Sequence, residues 1–247
     1  MAVSIAHSDG STVSGNICTA NYFYGIEIPD SANVTVTGNT IDGTSIAGAY
    51  GIMLDGVGKS SHNTSISGNT IIRCPTGISV QSGEGTSITG NTIFNGRIGI
   101  NVVMPNVTIT GNVIDCNNIA SPVGVFATSG DLVVVGNRFR RMTGGLAMEL
   151  YVPSGTVDRV LFVDNICDQL MSKTGAGTLG PFVTFAFRRV DVIVDVNSNV
   201  RQMVGDNTPE GAATAGVGST FVRRNGGAAT TFYVKESGTG NTGWVAK

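Results

Sequence analysis

With 247 residues the chain is long enough for one elongated domain or two ordinary ones, and for a sizeable buried core. Charged residues are only 13% while glycine fills 35 positions, about twice its usual share, a balance that favours short strands and tight turns and excludes a mainly helical protein. A formal net charge of −2 offers no electrostatic handle for nucleic acid or an anionic membrane surface.

The first element is a coil-like strand, "VSIAH" at 3–7, almost at once after Met1. The opening residues do not read as a signal peptide, and no stretch approaches the roughly 20 apolar residues of a membrane span. Triplets such as Asn33-Val34-Thr35 then read as incidental and not as glycosylation acceptors. The next elements repeat. "NVTVTGNTIDG" at 33–43 returns as "NTSISGNTIIR" at 63–73, "GTSITGNTIFN" at 85–95 and "NVTITGNVIDC" at 106–116. Marker asparagines fall at Asn16, Asn39, Asn69, Asn91, Asn112, Asn137 and, in the degenerate "VDN", Asn165, with gaps of 21 to 30 residues. An eighth copy is expected at Asn197 or Asn199. Self-similarity at this period signals a stacked-repeat architecture.

Three residues before the marker stand Val13, Val36, Ile66, Ile88, Ile109, Val134 and Phe162; two after it stand Cys18, Ile41, Ile71, Ile93, Ile114, Phe139 and Cys167. Thr and Ser alternate with the first set, so the period is two and one face is buried. A second strand surrounds a glycine in each copy: "YGIEI" 24–28, "YGIML" 50–54, "TGISV" 76–80, "IGINV" 98–102 and "VGVFA" 123–127. A strand, a Gly-Asn corner, a second strand and a loop make one coil, which buries its apolar face only by stacking on its neighbours. The reading is all-β: a right-handed, single-stranded parallel β-helix of about 7–8 coils over residues 1–204. The markers are expected to form a side-chain amide ladder at the corner, an arrangement that accounts for every copy without a ligand, although an asparagine column also suits sugars. Cys18 and Cys167 fall in the inward column and act as core fillers, not disulfide partners, consistent with folding in a reducing cytosol.

Beyond the repeat, "GDNTPEGAATAGVG" at 205–218 reads as a linker, and 219–247 as a C-terminal segment with a hairpin of strands 219–224 and 230–235 around "NGGAA". The hairpin carries Phe221, Val222, Phe232, Val234, Trp244 and Val245, and a lone hairpin is marginal in water, so it needs partners, most naturally other copies of the chain.

The closing "YVKESGTGNTGWVAK" at 233–247 resembles the C-terminal signature of bacteriophage tailspike and tail-fibre proteins, and the repeats before it resemble the pectate-lyase-like right-handed β-helix of that group. The resemblance implies a homotrimer joined through the C-terminal segment, with Phe221, Phe232 and Trp244 in the trimer contact. It also implies binding of a bacterial surface polysaccharide (capsule or lipopolysaccharide O-antigen), often with cleavage by hydrolysis or lyase chemistry. It places the protein in the virion tail after synthesis in the bacterial cytoplasm, with no cofactor, no nucleic acid and no membrane insertion. Tailspikes normally carry a head domain and a capping helix over the first coil, both missing before Met1, so the parent reading frame is expected to extend upstream.

Cleavage needs a carboxyl pair at a defined separation. Three residues past the marker the column reads Thr19, Asp42, Ile72, Phe94, Asp115, Arg140, Asp168. Asp115 and Asp168 are the candidate acid–base pair, two coils apart, with Arg140 and Arg141 as substrate-binding groups; the alternative is a surface ion-pair ladder. Four residues after the second-strand glycine a further column runs Asp55, Gln81, Val103, Thr128, Glu149. Asp55 and Glu149 are too far apart to pair within one chain. Glu149 beside Tyr151 is a third catalytic candidate at a subunit interface, with Tyr151 as a sugar platform, against the plainer reading of an amphipathic strand edge. His7 and His62, the two histidines, lack sequence partners, the "DPHD" motif of β-helical epimerases is missing, and Asp158, Asp164 and Asp168 are a weak calcium set. No metal is expected. The insertions of residues 137–190, among them "MSKTGAGTLGPFVTF", are expected on the glycan-binding face. A complete depolymerase or a secreted bacterial β-helical carbohydrate enzyme are the alternatives to a tailspike fragment.

Overall fold

The computed structural model describes residues 2–19, 23–43, 48–56, 61–117, 119–167, 169, 171–187, 194–195 and 200–247. Among these residues it contains strands and turns and no helix. The repeating part is a right-handed parallel β-helix built on three sheets. The first sheet holds Val3–Ser4, Tyr24–Pro29, Tyr50–Asp55, Thr76–Val80, Ile98–Val102, Val123–Ala127, Leu146–Tyr151 and Met171–Thr174. The second runs from Thr12–Ser14 through Thr35–Thr37, Ser65–Ser67, Thr86–Thr89, Val107–Thr110, Leu132–Val135 and Val160–Asn165 to Val183–Phe187. The third holds Ile17–Thr19, Thr40–Asp42, Thr70–Ile72, Thr92–Phe94, Val113–Asp115 and Arg138–Arg140. Each full coil therefore has three strands, because the repeated phrase is itself bent in two at its Gly-Asn corner.

The inward columns have the register the repeat predicts. Val13, Val36, Ile66, Ile88, Ile109, Val134 and Phe162 pair in succession. So do Cys18, Ile41, Ile71, Ile93, Ile114 and Phe139. The first sheet adds Ile26, Ile52, Ile78, Ile100, Val125 and Met148. All of them are buried, so stacking like side chains on like removes nearly the whole apolar face from water. Cys18, Cys74 and Cys116 are buried, and Cys167 is half-buried.

At the corner the marker asparagines form the expected ladder. From Asn16 to Asn137, each backbone N–H and each side-chain Nδ2–H donates to Oδ1 of the marker one coil on, at 2.9–3.0 Å. From Asn39 to Asn165, Nδ2 also donates to the inward residue's carbonyl one coil back. The residue before each marker sits in the left-handed region, a glycine from Gly15 to Gly136 and Asp164 in the degenerate copy. A second left-handed position opens the second-sheet strand: Asn33, Asn63, Gly85, Asn106, Asp131 and Arg159. Asn-x-Ser/Thr triplets thus arise where a turn asparagine precedes a hydroxyl-bearing strand.

The C-terminal unit is larger than a hairpin. Thr220–Arg223 and Phe232–Lys235 pair antiparallel as expected, but Val200–Gly205 adds in parallel on one side and Trp244–Ala246 antiparallel on the other. Residues 205–218 pack against this sheet: Ala215 is buried in its small core, and Glu210 accepts from the Gly243 and Trp244 amides at 3.2 and 2.8 Å. The small apolar side chains make that packing tight where the sequence reading saw only a spacer. The expected eighth marker at Asn197 or Asn199 lies outside the described residues.

Candidate functional site

Strand alternation points half of each first-sheet strand outward. One outward column is Ser4, Glu27, Met53, Ser79, Asn101, Phe126, Glu149 and Ser172. The next begins with Pro29 beside Asp55 and ends with Tyr151 beside Thr174. This corrects the expected register. The glycine equivalent of the sixth coil is Ala147, since Val123 and Val125 pair with Leu146 and Met148. Gly145 belongs to the preceding turn, where its amide donates to the Met142 carbonyl at 2.8 Å. Glu149 therefore lies in the column of Glu27, and Tyr151 in that of Asp55.

Aromatic residues stand at both ends of this face. At one end the Tyr24 and Tyr50 rings lie 5.7 Å apart on successive coils, with Phe23, 49% exposed, edge-on to Tyr24 at 5.1 Å. At the other, Phe126 and Tyr151 are stacked at 6.2 Å with Tyr151 39% exposed, while Glu149 accepts from the Thr174 hydroxyl at 2.8 Å. Between them Asn101 Nδ2 and Gln81 Nε2 donate to Ser79 Oγ at 3.0 and 3.2 Å. Tyr50 and Tyr151 are four coils apart, about 20 Å along the stacking axis at ~4.8 Å per coil, and stand at opposite ends of their strands. Rings at the ends and amides between are the groups that stack on and hydrogen-bond to sugars.

Two carboxylates accompany the first aromatic group. Glu27 accepts from Ser4 Oγ at 3.3 Å. Asp55 Oδ1 is buried without a hydrogen-bond partner, and burial, then the Glu27 and Asp30 charges, push its carboxyl above the usual range. Sequence reasoning set Asp55 aside and missed Glu27, Tyr24, Tyr50 and Phe126. The signal was present in "YGIEIP" and "YGIMLD", which carry tyrosine at the same strand position and a carboxylate at outward positions.

On the third sheet the expected column does bring Asp115 beside Arg140 and under Arg141. Asp115 is buried, and Arg141 grips both its oxygens at 2.7 and 2.5 Å, while Arg140 stands 3.8 Å away. Arg141 has a left-handed backbone and its guanidinium lies 5.6 Å over the Phe94 ring. The same clamp recurs where Arg73 reaches back to Asp42. A proton transfer by Asp115 first requires this fork to open. Beside it a cavity of about 580 Å³ is lined by Asn117, Ile119, Ala120, Ser121, Arg141 and Thr143. Asp168 lies outside the described residues, so the pair it was expected to form is not part of this geometry. Asp158 spends Oδ1 on the Arg159 and Phe182 amides at 2.8 Å. The insertions form a small pair of strands, Thr156–Val157 with Thr178–Leu179. Of the three residues expected in a trimer contact, Phe221 and Trp244 are buried in the C-terminal unit's own core, and Phe232 is 39% exposed.

Compared with known families, the chain matches the one described as "Periplasmic copper-binding protein (NosD)" over residues 1–114 and again over 51–154, together more than half of its length. The chain belongs to the NosD family. The two matches start 50 residues apart, about two coils, as a repeat allows. Comparison with curated protein sequences returns no match. Among solved structures, an alginate lyase from Paenibacillus sp. str. FPU-7 aligns at TM-score 0.38 and 12% identity, over 74% of this chain and 97% of that one. The two differ too much for that likeness to speak to chemistry here.

The family description prompts a test for copper. Among the described residues no three His, Cys, Asp or Glu side chains gather into a metal-holding group. Burial pushes the Cys74 thiol up to about 11, which keeps it protonated, and His62 Nδ1 accepts from the Glu84 amide at 3.3 Å. The described residues of this NosD-family chain do not fit a copper site. No helix among them is long and apolar enough to cross a membrane.

Proposed function

We propose that this NosD-family chain binds an extended bacterial surface polysaccharide along the outward face of its first sheet, as the β-helical and assembly part of a trimeric phage tailspike. The observation that carries the reading is the strip of Tyr24, Tyr50, Gln81, Asn101, Phe126 and Tyr151, ring faces at both ends and amides between. Pyranose rings stack on aromatic faces, and a β-helix holds those faces at fixed multiples of the coil spacing without ordering cost on binding. The closing signature at 233–247 and the apolar outer face of the C-terminal sheet support the assembly role.

The test is binding of the full chain to an array of purified capsular polysaccharides and O-antigens. Saturable binding to at least one glycan is expected, with Tyr50→Ala and Tyr151→Ala each weakening it by about 5- to 50-fold, as loss of one stacking contact implies. Unchanged affinity in both variants would sink the reading. A second reading, a β-helical carbohydrate-active protein of the bacterial envelope, is favoured by the family match, whose described member is periplasmic. Immunolabelling of virions against cell fractions separates the two.

A further inference from the structure

We propose that Glu27 and Asp55 are the base and acid of a glycosidic hydrolysis carried out on the Tyr24–Tyr50 platform. The inference rests on the polysaccharide reading and gives that face a reaction. The ladder pairs Glu27 with Met53 and Pro29 with Asp55. The two carboxylates are thus one coil apart and two residues apart along the strand, on the same outward face. At ~4.8 Å per coil and ~3.4 Å per residue the diagonal is about 8 Å, inside the ~6.5–9.5 Å window in which a water fits between acid and base. The Glu27 charge acts on the Asp55 carboxyl, so the two groups lie within each other's field.

The surroundings divide the roles. Asp55 has a buried Oδ1 with no partner, and burial, then the Glu27 and Asp30 charges, outweigh a backbone hydrogen bond on the carboxyl and favour the protonated acid. Glu27 is half-buried and held only by the Ser4 hydroxyl among the described residues, which suits a carboxylate that must accept from water. The Tyr24 phenol is raised first by burial and then by the charges of Asp55, Glu27 and Tyr50, so its hydroxyl shares the field of both carboxyls. Asp115 contrasts on each point, since Arg141 occupies both its oxygens.

In the reaction Asp55 gives its proton to the glycosidic oxygen as the bond from that oxygen to the anomeric carbon breaks. Glu27 takes a proton from a water whose oxygen bonds to the same carbon from the opposite side. The proton gained by Glu27 and that lost by Asp55 then re-equilibrate through solvent. One water is consumed, the anomeric configuration inverts and no oxidant or cofactor is needed.

The experiment incubates the full chain with each glycan it retains on the capsule and O-antigen array, in water enriched in oxygen-18. It follows new reducing ends, the isotope and the anomer by NMR. The expected result is labelled, inverted ends from the wild type, lowered by about 10²- to 10⁴-fold in Asp55→Asn and in Glu27→Gln while binding is kept. Bound glycan with no new ends, unsaturated or unlabelled ends, retained configuration, or a carboxamide variant that cleaves like wild type each overturn the assignment and leave the binding reading standing. No glycan retained at all defeats the binding reading, and this one with it.

Discussion

Asn91 spends its side chain completely. Its Oδ1 accepts from both nitrogens of Asn69, and its Nδ2 donates to the Ile66 and Thr89 carbonyls and to Asn112 Oδ1. Asn91→Ala strands those buried groups and is expected to cost about 3 kcal/mol in urea denaturation. Asn16→Ala, at the half-buried start of the ladder with no marker leaning on it, is expected to cost about 1 kcal/mol. Asp55 has the opposite balance. Its folded-state pKa is raised, so the folded chain holds the proton more tightly than the unfolded one. Stability is therefore lost as pH climbs from the ordinary carboxylate range through that raised value, with Glu27 and Asp30 as the charges that oppose ionisation. Asp55→Asn should be more stable than wild type above this window and equal to it below, read as thermal midpoints across pH. A site that gains stability on neutralisation is one the fold keeps at a cost.

At the scale of the strand, columns explain which side chains the scaffold tolerates. The inner glycine of the first sheet recurs as Gly25, Gly51, Gly77, Gly99 and Gly124, because a Cβ at Gly77 would come within 2.5 Å of the Gly99 carbonyl and 2.7 Å of Ile93. Ala147 ends that series, and the glycine count, taken at Gly145, slips by two residues at that coil. In the second sheet the Thr86 hydroxyl is buried without a partner, in a column where the next coil carries Val107. Thr86→Val keeps the shape and removes the unmet group, so unfolding free energy is expected to rise by about 1 kcal/mol. Arg159 is the one bulky residue in the left-handed turn column, and its fork onto Asp131 offsets that backbone choice.

For the whole molecule the question is what the C-terminal sheet does with its second face. Phe221, Tyr233 and Trp244 turn inward with Met203, and buried Lys235 lies 5.8 Å over the Trp244 ring. Val204, Val222, Phe232 and Val245 face out at 38–40% exposure, an apolar patch suited to another copy. In the trimer proposed above, Phe232→Asp should yield a folded monomer by light scattering, because its own unit's core does not depend on it. A wild-type chain that is already monomeric would refute the assembly. The architecture was legible in the order of residues because a period of two, punctuated by Gly-Asn, leaves one way to bury Val36, Ile66, Ile88 and Ile109 together. That logic also read the corner ladder and the neighbours of Asp115. What folding alone decided lies where local spacing stops carrying information. It set whether Asp115 faces solvent or an arginine fork, which side of the hairpin Phe221 and Trp244 take, and that Glu27 and Asp55 share one face on adjacent coils. Those outcomes depend on side-chain direction and on pairings 25 or more residues apart, which only the stacked chain brings within reach.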